Sequence, residues 1–297
     1  MIAGLTDNMR GAAFMSISMA GFVVNDTMVK LASTQMGVFQ LLFLRGALAS
    51  LLIAGIAWQA GAFRARIAAR DRRAMALRVV GEMLAAVLFL TALFQMPLAN
   101  VTAILQSGPL GITLAAALFL GEPVGWRRIS AIVVGFAGVL LIVRPGAEGF
   151  STASLYAVAS VVFVVVRELA TRRLSPGVPS LLVVFVTAAT ISAMGGGVVL
   201  FQDWRPVDAH TWLLLTGSAI AVNIGYYFGV KAVRLGEIGF VAPFRYAVMI
   251  WALILGYVVF GDVPAAATLA GAALIMGSGV YSFRREQKLA RKAQVQR

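Results

Sequence analysis

Charged side chains inside otherwise apolar stretches are the residues of this sequence best placed to carry chemistry. Arg245 lies in the segment Pro243-Phe244-Arg245-Tyr246, and no acidic residue lies one helical turn away. A buried charge is costly unless it is paired or hydrated, so such a position needs a reason. Pro243 removes a backbone hydrogen bond and can kink a helix. A cation beside a Tyr at a kink suits an anionic group such as a carboxylate. The alternative is that the Arg245 side chain extends out to a polar surface.

Arg45 is a second cation inside an apolar stretch, again without an acid one turn away. Asp26 and Lys30 are four residues apart, so they can pair on one helix face. We predict these three residues to be gating residues or charge pairs. For Asp26 and Lys30, a pair that merely reaches to an interface is an equally good reading.

A further group of charges is predicted near the ends of two other apolar stretches. Arg78 and Glu82 are one turn apart, and a structural pair is the favoured reading for them. Arg167 and Glu168 lie close to Arg172 and predict a charge cluster that is either structural or gating. Proton coupling would need a titrating acid, for which Asp26, Glu82 and Glu168 are the candidates.

Uncharged polar and aromatic side chains complete the predicted binding inventory. An apolar wall with a few hydrogen-bonding groups is what a small-molecule pocket needs. For each aromatic side chain taken alone, packing against lipid or another helix is the alternative. The candidates for substrate contact, besides Arg245 and Tyr246, are Gln106, Asn223, Tyr227, Phe89 and Tyr156.

The elements that position these residues follow from composition. Of the 297 residues, 60% are hydrophobic and 12% are charged, against a charged share of about 25% in soluble domains. This composition predicts an all-α protein that crosses a membrane many times. The ten predicted spans are 11–31, 38–59, 75–95, 98–120, 128–143, 152–170, 180–201, 211–230, 237–260 and 265–283.

Missing residue types and motifs exclude several classes of function. The sequence has no Cys and one His, His210, so disulfides and Cys-based metal or redox chemistry are excluded. It has no phosphate-binding loop motif, no H-E-x-x-H and no G-x-S-x-G. We therefore expect neither an enzyme nor a direct nucleotide-driven pump, and no cofactor or metal.

The net charge of +13 is distributed as a topology signal and does not indicate nucleic-acid binding. Loops on the cytoplasmic side of a membrane carry an excess of Lys and Arg. With the N-terminus inside, Arg144 and Arg205 face the opposite side. Both termini are therefore predicted to be cytoplasmic in a bacterial-type inner membrane, with the basic tail contacting lipid. The 19 cations predicted on the cytoplasmic side are Arg10, Arg64, Arg66, Arg70, Arg72, Arg73, Arg78, Arg127, Arg128, Arg172, Arg173, Lys231, Arg234, Arg284, Arg285, Lys288, Arg291, Lys292 and Arg297.

Similar segments recur at a nearly constant spacing. Gly121-Glu122 matches Gly261-Asp262 at an offset of 140, and Gly138-Val139 matches Gly279-Val280 at 141. Asp26-x-x-x-Lys30 matches Glu168-x-x-x-Arg172 at 142. Three similar offsets in one order predict a two-fold internal repeat, with halves at 1–150 and 151–297. Because each half has five spans, the second half is predicted to be inverted in the membrane.

Small residues and turn residues are predicted to be structural. Gly121-Glu122-Pro123 should end the fourth span, because Pro disfavours helix in the residue before it. Ser107-Gly108-Pro109 should loosen the middle of the same span. Gly135, Gly138 and the run Gly195-Gly196-Gly197 are expected to let helices approach closely.

The segments A-L-F-L-G-E-P and G-F-A-G-V-L-L-I-V-R-P at the end of the first half resemble the drug/metabolite transporter superfamily, EamA-like branch. The resemblance covers nearly the whole chain, and the size and layout also resemble bacterial amino-acid exporters of the YddG type. The second half departs from the pattern, with Val263 where the first half has Pro123.

The resemblance implies a secondary transporter that works by alternating access. It favours the export of amino acids or similar small zwitterions, with the substrate near the membrane midplane. The alternatives are a carrier of another metabolite, such as a nucleoside derivative, and a membrane scaffold that transports nothing. The sequence leaves open the exact substrate, the direction, the coupling ion and the oligomeric state.

Overall fold

The computed structural model describes residues 6–65, 67–121, 125–145, 151–175, 177–235 and 238–295, and within these ranges the chain is helical with no β-strand. The all-α prediction is confirmed. Short 3₁₀ turns lie at Ala62–Arg64 and Ala242–Tyr246. The α-helices are α1 (Asp7–Ala32), α2 (Val38–Gln59), α3 (Ala69–Gln95), α4 (Leu98–Leu105), α5 (Gly108–Leu120), α6 (Trp126–Val143), α7 (Thr152–Arg172), α8 (Ser180–Val199), α9 (Ala209–Leu235), α10 (Ile238–Val241), α11 (Ala247–Phe260) and α12 (Ala266–Val295).

Among the described residues, nine stretches are long and apolar enough to cross a bilayer. The eighth predicted span, 211–230, is covered by α9, a helix of 27 residues. Two helices extend well beyond the predicted apolar spans: α3 begins at Ala69, before the span 75–95, and α12 continues to Val295, past the span 265–283. A hydropathy pattern indicates only the part of a helix that lipid can surround. The first turns of α3 and the last turns of α12 are rich in charged residues, which are favourable in water.

Two of the predicted spans are interrupted helices. The fourth span divides between α4 and α5 at Gln106-Ser107, which we call the first break, and Pro109 follows it. The ninth span divides at the 3₁₀ turn Ala242–Tyr246, the second break, which contains Pro243. Each proline lacks the N–H that would continue the α-helical hydrogen-bond ladder. The predicted loosening of the fourth span and kink of the ninth are confirmed.

The helices that follow the two breaks end in the same way. Gly121 ends α5 with φ 67°, and Gly261 ends α11 with φ 68°. This left-handed conformation strains residues with a side chain, so glycine is favoured at both ends. The structural role predicted for Gly121 is therefore confirmed, while Glu122 and Pro123 lie outside the described residues.

The chain forms two compact units. Unit 1 comprises Met1–Thr27, Met96–Leu155 and Ile220–Arg297, and unit 2 comprises Met28–Gln95 and Tyr156–Ala219. Each unit takes segments from both predicted sequence halves. The two units are therefore not the two predicted halves. The division of the sequence at residue 150 stays a prediction.

Unit 2 is built on the packing of α2 against α8. A Cβ added to Gly46 would lie 2.9 Å from Ser192 Cβ, and one added to Gly195 would lie 2.7 Å from Phe43 N. Ser192 Oγ also donates a hydrogen bond to the Phe43 carbonyl oxygen at 2.9 Å. Gly46 is close to Ser192, whereas Phe43, which precedes Gly46, is close to Gly195, which follows Ser192. The two helices are therefore antiparallel. The close approach predicted for the glycine run is confirmed at Gly195.

Unit 1 contains an equivalent pair, α6 and α12. A Cβ added to Gly138 would lie 2.7 Å from the Gly271 carbonyl oxygen, and one added to Gly135 would lie 2.7 Å from Ser278 Oγ. Contacts again run in opposite directions along the two helices, so α6 and α12 are antiparallel. The predicted packing role of Gly135 and Gly138 is confirmed.

The first helix ties two other helices of unit 1 together. Ser18 Oγ donates a hydrogen bond to the Gly225 carbonyl oxygen on α9 at 2.6 Å. Trp251 Nε1, on α11, donates to the Ser16 carbonyl oxygen at 3.2 Å. Side-chain bonds to helix carbonyls are useful in an apolar setting, where such polar groups have few other partners. Through α1, unit 1 thus connects α9 to the helix that follows the second break.

Candidate functional site

Arg245 and Tyr246 lie on the second break, immediately before α11. The Arg245 side chain is exposed, and Tyr246 is half-buried. Gly279 on α12 explains how Tyr246 is held, because a Cβ at that position would overlap the Tyr246 hydroxyl group. The glycine forms a notch that seats the phenol, and Arg245 precedes this anchored residue by one position on the same 3₁₀ turn.

Gln106 occupies the matching position at the first break. It caps the C-terminus of α4 and is half-buried. The offset of 140 that relates Gly121 to Gly261 also relates Gln106 to Tyr246. Within unit 1, α4 packs directly against α11. The chain therefore places an amide side chain and a phenol at equivalent points of two broken helices that contact each other.

Helix α5 begins directly after the first break, and helix α11 begins directly after the second. The first N–H groups of a helix have no partner within the helix, and its dipole makes that end partly positive, which favours anionic groups. At α11, the first N–H groups already donate to the carbonyl oxygens of Phe244 and Arg245 in the preceding turn. Each break thus carries polar side chains, Gln106 at the first and Arg245 with Tyr246 at the second.

Asn223 and Tyr227 lie one turn apart on α9, and both side chains are exposed. The Lys231 ammonium lies 4.8 Å from the centroid of the Tyr227 ring, which is a cation–π contact. Neighbouring Tyr226 makes an edge-to-face contact with Phe22 of α1, with ring centroids 5.1 Å apart. Sequence reasoning missed the role of Lys231 because it counted this cation only as a topology signal, although the i, i+4, i+8 spacing was visible.

In unit 2, two carboxylates share one guanidinium. Arg167 Nη1 lies 2.9 Å from Glu82 Oε2, and Arg167 Nη2 lies 3.5 Å from Glu168 Oε2. Gly81 permits this arrangement, because a Cβ there would lie 3.1 Å from the Arg167 backbone nitrogen. The close approach of α3 and α7 thus places Glu82 beside Arg167.

Arg78 and Asp71 make two further polar contacts in unit 2. Arg78 donates a hydrogen bond to Thr187 Oγ1. Asp71 is buried and accepts hydrogen bonds from the Ser175 backbone N–H at 3.0 Å and the Ser175 hydroxyl at 2.9 Å. Sequence reasoning missed the Asp71–Ser175 contact, since its two residues are 104 positions apart.

Three further charged candidates lie on α1 and α2. Asp26 accepts a hydrogen bond from Asn25 Nδ2 at 2.9 Å near the end of α1, and Lys30 lies in the last turn of that helix. Arg45 is half-buried on α2, next to the closely packed Gly46.

Two aromatic candidates lie in unit 2. Phe89 is half-buried on α3, and the Tyr156 side chain on α7 is exposed. Across the described residues, no group of three His, Cys, Asp or Glu side chains is arranged to hold a metal ion.

Comparison with known proteins gives three kinds of match. The EamA-like transporter family model matches residues 9–144. The chain is 31% identical over 219 residues to a riboflavin transporter from Vibrio cholerae, covering 73% of each chain. It is 29% identical over 264 residues to the pseudopaline exporter CntI from Pseudomonas aeruginosa, covering 86% of this chain and 89% of the relative.

The names of the relatives state different directions of transport, since CntI is an exporter and others are uptake transporters. The chain is 26% identical over 192 residues to an S-adenosylmethionine uptake transporter from Rickettsia conorii, covering 65% of each chain. A solved crystal structure superposes with a TM-score of 0.58 at 21% identity, covering 90% of this chain and 97% of that one, and supports the fold alone. On its similarity to the riboflavin transporter and the match of its first half, the chain belongs to the EamA-like transporter family within the drug/metabolite transporter superfamily.

Proposed function

We propose that the protein is an inner-membrane secondary transporter that exports a small carboxylate-bearing metabolite, of the amino-acid or similar zwitterion class. The observation that carries this proposal is the pair of matched helix breaks, one of which presents Arg245. Interrupted helices at corresponding positions of two halves are the best pointer to the substrate site in transporters built from repeats.

The chemistry of the second break supports the carboxylate. Arg245 can donate two parallel hydrogen bonds to a carboxylate, which gives both affinity and a defined orientation. Its exposed side chain lies one residue before Tyr246, which the Gly279 notch anchors. Gln106, at the first break, adds donor and acceptor groups of the kind that bind an amino-acid backbone.

The helix directions support alternating access between inverted repeats. With an offset of about 142, α2 corresponds to α8, and α6 corresponds to α12. Both corresponding pairs are antiparallel, whereas a repeat in the same orientation would make them parallel. Five spans in each half, with both termini in the cytoplasm, agree with this inversion.

A second candidate substrate is a metabolite with an aromatic ring system, such as a nucleoside derivative. Tyr226 is 64% exposed and Tyr227 is 56% exposed on α9, so both rings offer faces on which a base can stack. The similarity to riboflavin and S-adenosylmethionine transporters favours this alternative.

The Glu82–Arg167–Glu168 cluster is the proposed coupling or gating element. Because two carboxylates share one guanidinium, a rearrangement that separates one of them from Arg167 leaves the other in place to pair with it. Asp26, Lys30 and Arg45 are proposed to serve as further gating residues or charge pairs.

Counterflow in liposomes tests the function directly. Purified protein would be reconstituted in vesicles loaded with each unlabelled compound of a panel, and uptake of the labelled compound would be followed. The panel contains the amino acids, riboflavin and S-adenosylmethionine. We expect counterflow with an amino acid or a related zwitterion. Counterflow with riboflavin alone would support the aromatic alternative, and no counterflow with any metabolite would favour the scaffold.

A further inference from the structure

A groove with a volume of about 280 Å³ lies between α6 and α12 on the surface of unit 1. Ala131 and Val134 form an apolar wall, and Ser130 and Ser278 supply hydroxyl groups. Trp126, Arg127 and Tyr281 line it toward one end. None of its lining residues lies on either helix break, and the transport proposal makes no use of the groove.

The aromatic and cationic groups of the groove are held in place. The Trp126 side chain is 73% exposed and that of Tyr281 is 47% exposed. The Arg127 guanidinium carbon lies 5.3 Å from the centroid of the Trp126 ring, so a cation–π contact keeps the charge at the rim. Exposed Trp and Tyr side chains of this kind are typical of the boundary between lipid and water.

The antiparallel packing brings further cations to the same end. Gly135 faces Ser278 across the helix pair. Arg127 lies eight residues before Gly135, and Arg284 lies six residues after Ser278. At 1.5 Å per residue, both charges are roughly 9–12 Å from this contact and on the same side of it. The Arg284 side chain is exposed, and it lies one turn beyond Tyr281 along α12.

We propose that this groove binds an anionic phospholipid of the cytoplasmic leaflet. The phosphate would lie between Arg127 and Arg284, the hydroxyl groups of Ser130 and Tyr281 would donate to headgroup oxygens, and an acyl chain would lie along Val134. Charge complementarity selects the occupant, since the charge asymmetry of the sequence predicts that this end lies at the cytoplasmic surface, where anionic lipids attract basic side chains. A soluble anion would leave the apolar wall unused.

Fluorescence quenching by brominated lipids tests the proposal. The full-length protein would be reconstituted in phosphatidylcholine vesicles in which either phosphatidylglycerol or part of the phosphatidylcholine carries bromine. We expect brominated phosphatidylglycerol to quench more strongly, and Trp126→Phe to remove this excess. Arg127→Gln with Arg284→Gln should weaken the preference about 30-fold, because each cation near an anionic surface contributes about 1 kcal/mol and 1.4 kcal/mol is tenfold.

Arg72→Gln with Arg73→Gln is the matched control. This pair also removes two exposed cations predicted to be cytoplasmic, but it lies on α3 of unit 2. The control should keep the excess quenching. Equal quenching by the two lipids in the unchanged protein would overturn the proposal. The same loss in both double variants would also overturn it, because the attraction would then belong to the basic face as a whole.

Discussion

The two broken helices of unit 1 share a backbone plan and differ in side chains. Each has a short first segment, a break and a longer second segment that ends at a left-handed glycine, Gly121 or Gly261. At the break itself, the first half has Gln106 and the second half has Tyr246 preceded by Arg245. The backbone plan is thus common to both helices, while the guanidinium lies at the second break.

This difference has a physical reason. Two guanidinium groups close together would repel each other in a medium of low dielectric constant. A neutral amide at the first break avoids such repulsion and still offers hydrogen bonds.

The largest expected effect is at Arg245. Arg245→Ala should weaken substrate binding by about 1.5–3 kcal/mol, or roughly 10-fold to 100-fold, because a charge-assisted hydrogen bond is lost. Arg245→Lys should lose less, since it keeps the charge but not the two-pronged geometry. The measurement is the affinity for the counterflow substrate in detergent-purified protein.

Arg64→Ala is the control for these variants, because Arg64 is an exposed cation on the 3₁₀ turn at Ala62–Arg64. It should leave affinity and thermal stability unchanged. Normal affinity in a well-folded Arg245→Ala protein would show that the side chain reaches the lipid headgroups and takes no part in the site.

The next largest effects are expected at Gly138 and Gly279, and they should differ in kind. Gly138→Ala should lower folded yield and stability, by about 1–3 kcal/mol, because the new Cβ meets the backbone carbonyl of Gly271, which cannot move aside. Gly279→Ala should leave the fold intact and weaken binding, because its Cβ meets the movable end of Tyr246. Thermal unfolding and affinity would be measured on both variants.

A double variant tests the route of the Gly279 effect. If the glycine acts through the phenol, Gly279→Ala combined with Tyr246→Ala should bind no worse than Tyr246→Ala alone. Additive losses of affinity would mean that Gly279 and Tyr246 act independently. The contact between them would then not explain the effect of Gly279→Ala on binding.

The smallest effect is expected at the first break. Gln106→Leu keeps the approximate volume and removes neutral hydrogen bonds, so affinity should fall by about 0.5–1.5 kcal/mol. The loss should be smaller than that of Arg245→Ala, as the asymmetry of the two breaks requires. A loss as large as that of Arg245→Ala would mean that the two breaks contribute equally.

Local features of the fold were predictable from the sequence, because their causes lie within a few residues. Pro243 and Ser107-Gly108-Pro109 indicated the breaks, and Gly121 and Gly261 indicated helix ends. Contacts between distant helices were not predictable, because they depend on how each helix is rotated. The pairing of Glu82 with Arg167 spans 85 positions, and the Tyr246 notch at Gly279 joins a turn to another helix.

The corresponding glycines show the same limit in one comparison. The close approach predicted at Gly138 is confirmed, and the structure adds a close approach at Gly279, the glycine that matches it at an offset of 141. Gly138 lies against the backbone of Gly271, whereas Gly279 lies against the phenol of Tyr246. The sequence could not reveal this difference, because Gly271 and Tyr246 are not corresponding residues of the two halves.

Substrate protection of cysteines placed at the two breaks tests the central claim most directly. The chain has no Cys, so Gln106→Cys and Phe244→Cys would each give one reactive thiol, and Leu200→Cys, at a side chain that is 83% exposed, is the control. We predict that the counterflow substrate slows labelling by a water-soluble maleimide at both breaks and leaves the control unchanged. Labelling at both breaks that is unaffected by saturating substrate would contradict a site built from them.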